Sequence, residues 1–219
     1  MFIGHFAVAL AAKKTAPKTS LATLFAAAQF VDLLWPIFLL FGLEHVRIDL
    51  GNTAMTPLDF YDYPITHSLV GAVGWSVLFG AAYYFRRKLS REAVIVGLVV
   101  FSHWILDLIT HRPDLPLLGN DSMKFGMGMW NSMAVTVVIE SLMFIGGVWL
   151  YKSSTQPKNK TGTYAFIGLV LFIALIHIAN IFGPPPPNVQ IIAIAGNASW
   201  LFVLWAWWVD KNRTERVAA

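Results

Sequence analysis

Residues 101–114 read FSHWILDLITHRPD, and within them His103, Asp107 and His111 recur at steps of four. On a helix each such step drifts by only about 40°, so the three side chains project from one face, a turn apart. Neutral imidazole and carboxylate are ligands of choice for zinc and related divalent metals. The chemistry this face offers is therefore metal binding. The plainer reading is a histidine and an aspartate hydrogen-bonded in a helix interior, and HWILD by itself does not separate the two.

Other groups of the same type are spread along the chain. His67 lies in YPITHSLVG at the opening of an apolar run, where Gly71 and Gly74 would let a neighbouring helix come close. Asp32 lies in AAAQFVDLLWP, and Pro36 removes the helical N–H partner of its carbonyl, so a kink exposing carbonyl and carboxylate to a polar cavity is expected there. His5 belongs to the N-terminal MFIGHFAVALAA; with Lys13 held at the membrane surface, eight residues of helix, about 12 Å, carry it toward the bilayer interior and Asp32. Glu140 is the one charge in WNSMAVTVVIESLMF and suits a ligand, a general base or a partner that orients a histidine. His45 lies in a loop, and His177 in ALIHIAN is expected to pack or hydrogen-bond.

These residues sit in an unusual background. The 219 residues are 57% hydrophobic and only 13% charged, where a soluble domain carries about 25% charged residues. Six apolar runs, roughly 20–43, 65–85, 92–110, 130–151, 163–182 and 189–209, each approach the ~20 residues that cross a bilayer core. The expected fold is all-α: a single integral membrane domain of about six transmembrane helices, preceded by a short re-entrant or interfacial helix. GPPPPN at 183–188 is a connector that no helix crosses. An aspartate or arginine at the centre of a span costs roughly 2.5–3.5 kcal/mol. Asp32, Asp107 and Glu140 have no lysine or arginine in their own runs, so protonation, water or a cation must offset them. With no cysteine in the chain, thiolate ligands and disulfides are excluded.

Thirteen of the sixteen lysines and arginines fall on one side if the six runs alternate. Lys13, Lys14 and Lys18 precede the first; Arg86, Arg87, Lys88 and Arg91 follow the second; Lys152, Lys158 and Lys160 follow the fourth; Lys211, Arg213 and Arg216 follow the last. The positive-inside bias makes that side cytoplasmic, with both termini inside an inner membrane. It also accounts for the net charge of +4, so a nucleic-acid partner is not expected. The opposite loops are an acidic one at 44–64 and a proline- and glycine-bearing one at 111–129, suited to an irregular lid.

The MFIGH start, QFVDLLWP, the THS motif, HWILDLITHRPD and the GMGMWNS segment with its later glutamate resemble the membrane-bound metal-dependent hydrolase family. These are inner-membrane proteins of bacteria and archaea described as LexA-binding hydrolases. The resemblance covers residues 1–151; the last two spans, in 152–219, carry little of it. The order of groups is also similar to zinc-dependent phospholipase C, a soluble helical phosphodiesterase. Carried over by position, that likeness implies that Asp32, His67, His103 and Asp107 hold one zinc, and that His5 and a bridging Asp107 contribute to a second. His111 matches the next histidine of the pattern at a shorter spacing. The later histidine-x3-glutamate pair is missing, since Glu140 is preceded at four residues by Thr136.

The expectation that follows is a membrane-embedded metal-dependent hydrolase with one or two divalent ions, zinc or alternatively manganese. Asp114 or Glu140 would accept a proton and Arg112 would meet a substrate phosphate. A site open to lipid in the outer half of the membrane suggests a phospholipid or lipid-linked phosphate ester. The competing class is a proton- or divalent-metal-coupled transporter, which uses the same residue types near the midplane. A third is a scaffold in which the polar cluster only fastens helices.

Overall fold

A computed structural model describes residues 1–216. The chain is mostly helical. Helix α1 (Ile3–Thr15) is followed by α2 (Leu21–Ala28) and α3 (Phe30–Leu40), then by a β1–β2 hairpin (His45–Ile48 and Leu58–Asp62) and a single turn, α4 (Pro64–His67). Two long antiparallel helices come next, α5 (Leu69–Arg87) and α6 (Ser90–Thr110). A loop with a minimal β3–β4 pair (Leu115–Pro116 and Lys124–Phe125) leads to α7 (Met133–Ser154). The last part holds β5 (Thr155–Pro157), α8 (Lys160–Phe182), α9 (Val189–Asn197), α10 (Trp200–Lys211) and β6 (Arg213–Glu215), which pairs with β5.

Local chemistry sets many of these boundaries. Ser20, Ser68, Ser132, Asn159 and Asn188 each stand immediately before a helix, and each side chain accepts a backbone N–H from the first turn. This is the N-cap arrangement that satisfies donors a helix start leaves free. Pro64 occupies the first turn of α4, where no N–H is needed. Residues 183–188 connect α8 to α9 without helix, as the proline run dictates.

Four helical segments are long and apolar enough to cross a membrane: α6, α7, α8 and the α9–α10 pair, with α2 and α3 together as a bent fifth. The chain is thus a membrane protein by the length and apolarity of its helices. The six expected crossings are not all of this kind. Although α5 has nineteen residues, its glycines, tyrosines and terminal arginines dilute its apolar character, and it is not among the four. The first run is not one helix either. It breaks between α2 and α3 with a 57° bend, at Gln29 (φ −101°, ψ 8°). Pro36, where a kink was expected, does not end α3, which continues through that residue. Pro36 faces Gly196 of α9, where a Cβ would come within 2.8 Å of its ring.

The N-terminal helix, expected to be re-entrant or interfacial, lies inside the bundle. At thirteen residues it is about 20 Å long, too short to span, but it does not lie against the bundle. It is the bundle's centre. Phe6 and Leu10 are almost fully buried, and Phe6 packs on Phe25 and Phe202 with ring centroids 5.1 Å away in each case. Its closest neighbour is α7. A Cβ on Gly147 would meet the Ala7 carbonyl oxygen at 2.5 Å and the Ala7 Cα at 2.8 Å, so only glycine admits this approach. The helix seam foreseen at Gly71 and Gly74 lies elsewhere. It runs along Gly80 and Gly97, where α5 and α6 touch and Ser76 donates to the Gly97 carbonyl at 2.6 Å. Many apolar side chains of α5, α7 and α8 face outward, Val77, Leu142 and Leu171 among them, as the solvent-side residues of a bundle in lipid do.

Candidate metal centre

The bend at Gln29 builds half of the site. It ends α2 at Ala28, so the last carbonyls of that helix lack helical partners. The Ala28 carbonyl accepts from His103 Nδ1 at 2.7 Å. Three residues past the break, Asp32 falls in the first turn of α3, where the helix dipole favours a carboxylate. On α6, His103 and Asp107 stand one turn apart, and both are 1% exposed. The central helix brings His5, whose ring stacks on that of His103 at 3.6 Å between centroids. His67 arrives from the end of α4.

The donor atoms converge. Asp107 Oδ1 lies 3.2 Å from His5 Nε2, and Asp107 Oδ2 lies 3.0 Å from His103 Nε2 and 3.8 Å from His67 Nε2. Asp32 Oδ1 is 3.3 Å from His67 Nε2 and 3.6 Å from His103 Nε2. Among the described residues two triads have donor atoms all within 4.8 Å of one another: His5 with His103 and Asp107, and Asp32 with His67 and His103. His103 belongs to both. The α-amino group of Met1 also reaches Asp107 Oδ1, at 2.8 Å.

Two imidazoles have their tautomers set from outside the cluster. His103 gives its Nδ1–H to the Ala28 carbonyl, so its Nε2 faces the Asp32 and Asp107 carboxylates. Thr66 donates its hydroxyl to Glu44 Oε2 at 2.7 Å, so its oxygen accepts from His67 Nδ1 at 2.6 Å. His67 Nε2 is thereby aimed at Asp32 and Asp107. A ring nitrogen that faces carboxylates needs a positive charge there, a proton or a bound cation. His103 Nε2 and both His5 ring nitrogens have no hydrogen-bond partner. Buried polar atoms are seldom left so, and histidines oriented through the far nitrogen are the usual support of a metal. The donor set of three imidazoles and two carboxylates could hold a divalent cation.

The oriented His67 carries a testable consequence. Thr66→Val removes the acceptor of His67 Nδ1–H, and metal affinity is expected to fall about 10–100-fold, with Thr66→Ser retaining it. Competition with a chelator measures the change, and equal affinity in wild type and Thr66→Val would dismiss the relay. Glu44, Thr66 and the Ala28 carbonyl were not singled out by sequence reasoning. The sequence signal for two of them was the THS motif and an acidic loop, but their meeting depends on Glu44 folding back over twenty-two residues. Burial pushes the Glu44 carboxyl above its ordinary range, against the His67 charge and the Thr66 hydrogen bonds.

His111 does not continue the face of His103 and Asp107. Helix α6 ends at Thr110, and His111 is extended (φ −66°, ψ 150°), so it belongs to neither triad. Its Nδ1 lies 2.9 Å from Asp114 Oδ1 and 3.3 Å from the Tyr63 hydroxyl, which also donates to Asp114 at 2.8 Å. Burial first, then the Asp114 carboxylate, holds the Tyr63 phenol well above its ordinary value, so it remains a donor. The Tyr63 ring packs on His67, 4.9 Å between centroids, which makes this second cluster contiguous with the first. The loop 111–129 is less irregular than a lid: Met127 and Gly128 N–H groups return to the Leu108 and His111 carbonyls and close the end of α6.

In comparisons with known proteins, no family model, curated protein or solved structure matches this chain. The site therefore rests on its own geometry.

Two expected catalytic residues are placed in other roles. Glu140 Oε2 accepts the Ile3 and Gly4 N–H groups at 3.0 and 3.4 Å. It caps the start of α1 and so positions His5, rather than facing the triads as a free base. Arg112 is paired with Asp59, and with Asp114 at 3.5 Å. Its charge is already matched, so it is not a free cation for a substrate phosphate. Asp114 sits with His111 and Tyr63, as described.

Proposed function

We propose that the chain is a membrane-embedded metal-dependent hydrolase acting on a phosphate ester, of a phospholipid or another lipid-linked substrate. The observation that carries this reading is the pair of triads sharing His103, with imidazole nitrogens left unpartnered toward two carboxylates. It agrees with the resemblance of residues 1–151 to the membrane-bound metal-dependent hydrolase family.

His5, His103 and Asp107 would hold one ion, and Asp32 and His67 would complete a second position through the shared His103. A divalent cation there supplies Lewis acidity and a water acidic enough to attack near neutral pH. The protein's own residues do the rest. Ala28 and Thr66 fix the two imidazoles, Glu140 fixes α1, and Asp114 holds His111 Nδ1 so that its other nitrogen accepts a proton. Tyr63, between His111 and His67, keeps that imidazole packed beside the ligands.

In the membrane, α2–α3 and α5 complete six crossings with the four apolar segments, and the connectors bearing thirteen cations face the cytoplasm. Helix α1 re-enters from that side, which places Met1 and His5 with the cluster toward the outer half. The test is turnover of phosphodiesters and phospholipids by the purified protein, wild type beside His103→Ala. Loss of both metal and turnover is expected. Full hydrolysis by the variant, or metal uptake without turnover of any ester, removes the hydrolase reading, the latter in favour of metal transport.

A further inference from the structure

At the end of the bundle away from the imidazoles lies a cavity of about 400 Å³, lined by the C-terminal ends of α1, α5 and α10, the start of α2 and the β5–β6 ribbon. His5 and Lys13 mark the two ends, since eight residues of α1, about 12 Å, separate them. Six lining side chains are cationic: Lys13, Lys18, Arg86, Arg87, Lys211 and Arg213. Two, Asp210 and Glu215, are acidic.

None of these six cations lies within ion-pair distance of a carboxylate among the described residues. Among the described residues, the lysines and arginines that form ion pairs with carboxylates are Arg47 and Arg112, both near the other end. Arg213 is 7% exposed. Its guanidinium donates to Thr155 Oγ1 at 3.0 Å, to the Thr155 carbonyl and to the Gly162 carbonyl at 3.1 Å, and it lies over the Tyr151 and Phe166 rings. Every one of those partners is neutral. Lys13, also 7% exposed, gives two of its three ammonium hydrogens to the Pro17 and Thr19 carbonyls, each at 2.8 Å. Asp210 is occupied in capping α2 through the Leu21 N–H. Two nearly buried positive charges with no carboxylate in ion-pair contact among the described residues are costly, and an anion entering the cavity offsets that cost.

We infer that this cavity binds a phosphate-bearing anion. Arg86 and Arg87 project from the last turn of α5 into its lining, and guanidinium groups pair with phosphate oxygens in two-pronged fashion. The buried Lys13 and Arg213 supply a positive floor. Basic pockets between spanning helices on the cytoplasmic side take lipid head groups, and Trp207 in the lining is suited to the interface. A soluble phosphate ester offers the same chemistry. The site is separate from the histidine cluster and does not depend on the hydrolase reading.

The experiment is a titration of the full-length protein, in a zwitterionic detergent, with dihexanoyl phosphatidic acid, dihexanoyl phosphatidylcholine and inorganic phosphate, read as a shift in Tm. Phosphatidic acid is expected to raise Tm saturably where phosphatidylcholine does not. Arg86→Gln/Arg87→Gln should weaken binding at least about 10-fold, since it removes two charge-assisted contacts, with the Tm of the unliganded protein unchanged. Should that double variant fail to fold, Lys18→Gln, a single change of a lining lysine, carries the comparison. A saturating response to phosphate that competes with phosphatidic acid assigns the site to the free anion and supports the inference equally. No saturable response to either anion, or undiminished binding by the folded variant, overturns it.

Discussion

Asp107→Ala is expected to leave the purified protein without bound metal, where the wild type carries one or two equivalents. Asp107 presents one oxygen to His5 and the other to His103 and His67, so its loss removes a ligand of the first triad and the carboxylate that faces His67 of the second. Losing a residue that merely orients a ligand costs about 10–100-fold in affinity, and removing the ligand itself exceeds that. Mass spectrometry of metal content in detergent-purified protein, before and after incubation with zinc or manganese, reads the result directly. Retention of full metal content in Asp107→Ala would place the metal elsewhere. An absence of metal in the wild type as well, even after incubation, would make the cluster a network of imidazolium and carboxylate groups. In that case His103→Leu/Asp107→Leu should fold with undiminished or greater stability, since apolar replacement of a buried ion pair is often neutral or favourable.

Gly147→Leu carries the second large effect, at a distance from the ligands. A Cβ at this position already collides with the Ala7 backbone, and backbone cannot swing aside as a flexible side chain does. Overpacking of this kind costs about 3 kcal/mol or more. Because α1 also carries His5, the substitution is expected to lower Tm and to weaken metal binding together. Gly146 is the internal control: nothing lies within 4 Å of a Cβ placed there, so Gly146→Leu should leave both properties near wild type. Thermal unfolding of both variants with and without added metal checks the pair. Equal behaviour of the two would mean that α1 does not seat against α7 as described.

The residues and their chemistry were readable from the chain. An apolar run tolerates an aspartate only with compensation, so Asp32, Asp107 and Glu140 stood out by cost alone. The i, i+4 spacing of His103 and Asp107 put them on one face whatever else the helix did. Helix starts at serine and asparagine, and the break at the proline run, follow from backbone hydrogen-bond accounting that involves a few neighbouring residues. Such features are local, and local features are what a sequence states.

What tertiary structure decided was which groups meet. Nothing near Gln29 in AAAQFVD announces a bend, since neither glycine nor proline marks it; Pro36, which seemed to, is absorbed by packing on Gly196. That bend frees the Ala28 carbonyl and sets Asp32 at a helix start. Steps of four could not carry His111 onto the metal face, because α6 ends one residue earlier and the next backbone dihedral redirects the side chain. The short N-terminal helix, by its length, left a re-entrant and an interfacial placement open. Its burial was decided by Gly147, 140 residues from Ala7, and by Glu140, which satisfies its first N–H groups. Contacts of that separation depend on how whole helices pack. Composition and spacing marked the candidate residues, and only the packed bundle joined His5 to His103 and Asp107 and withheld His111.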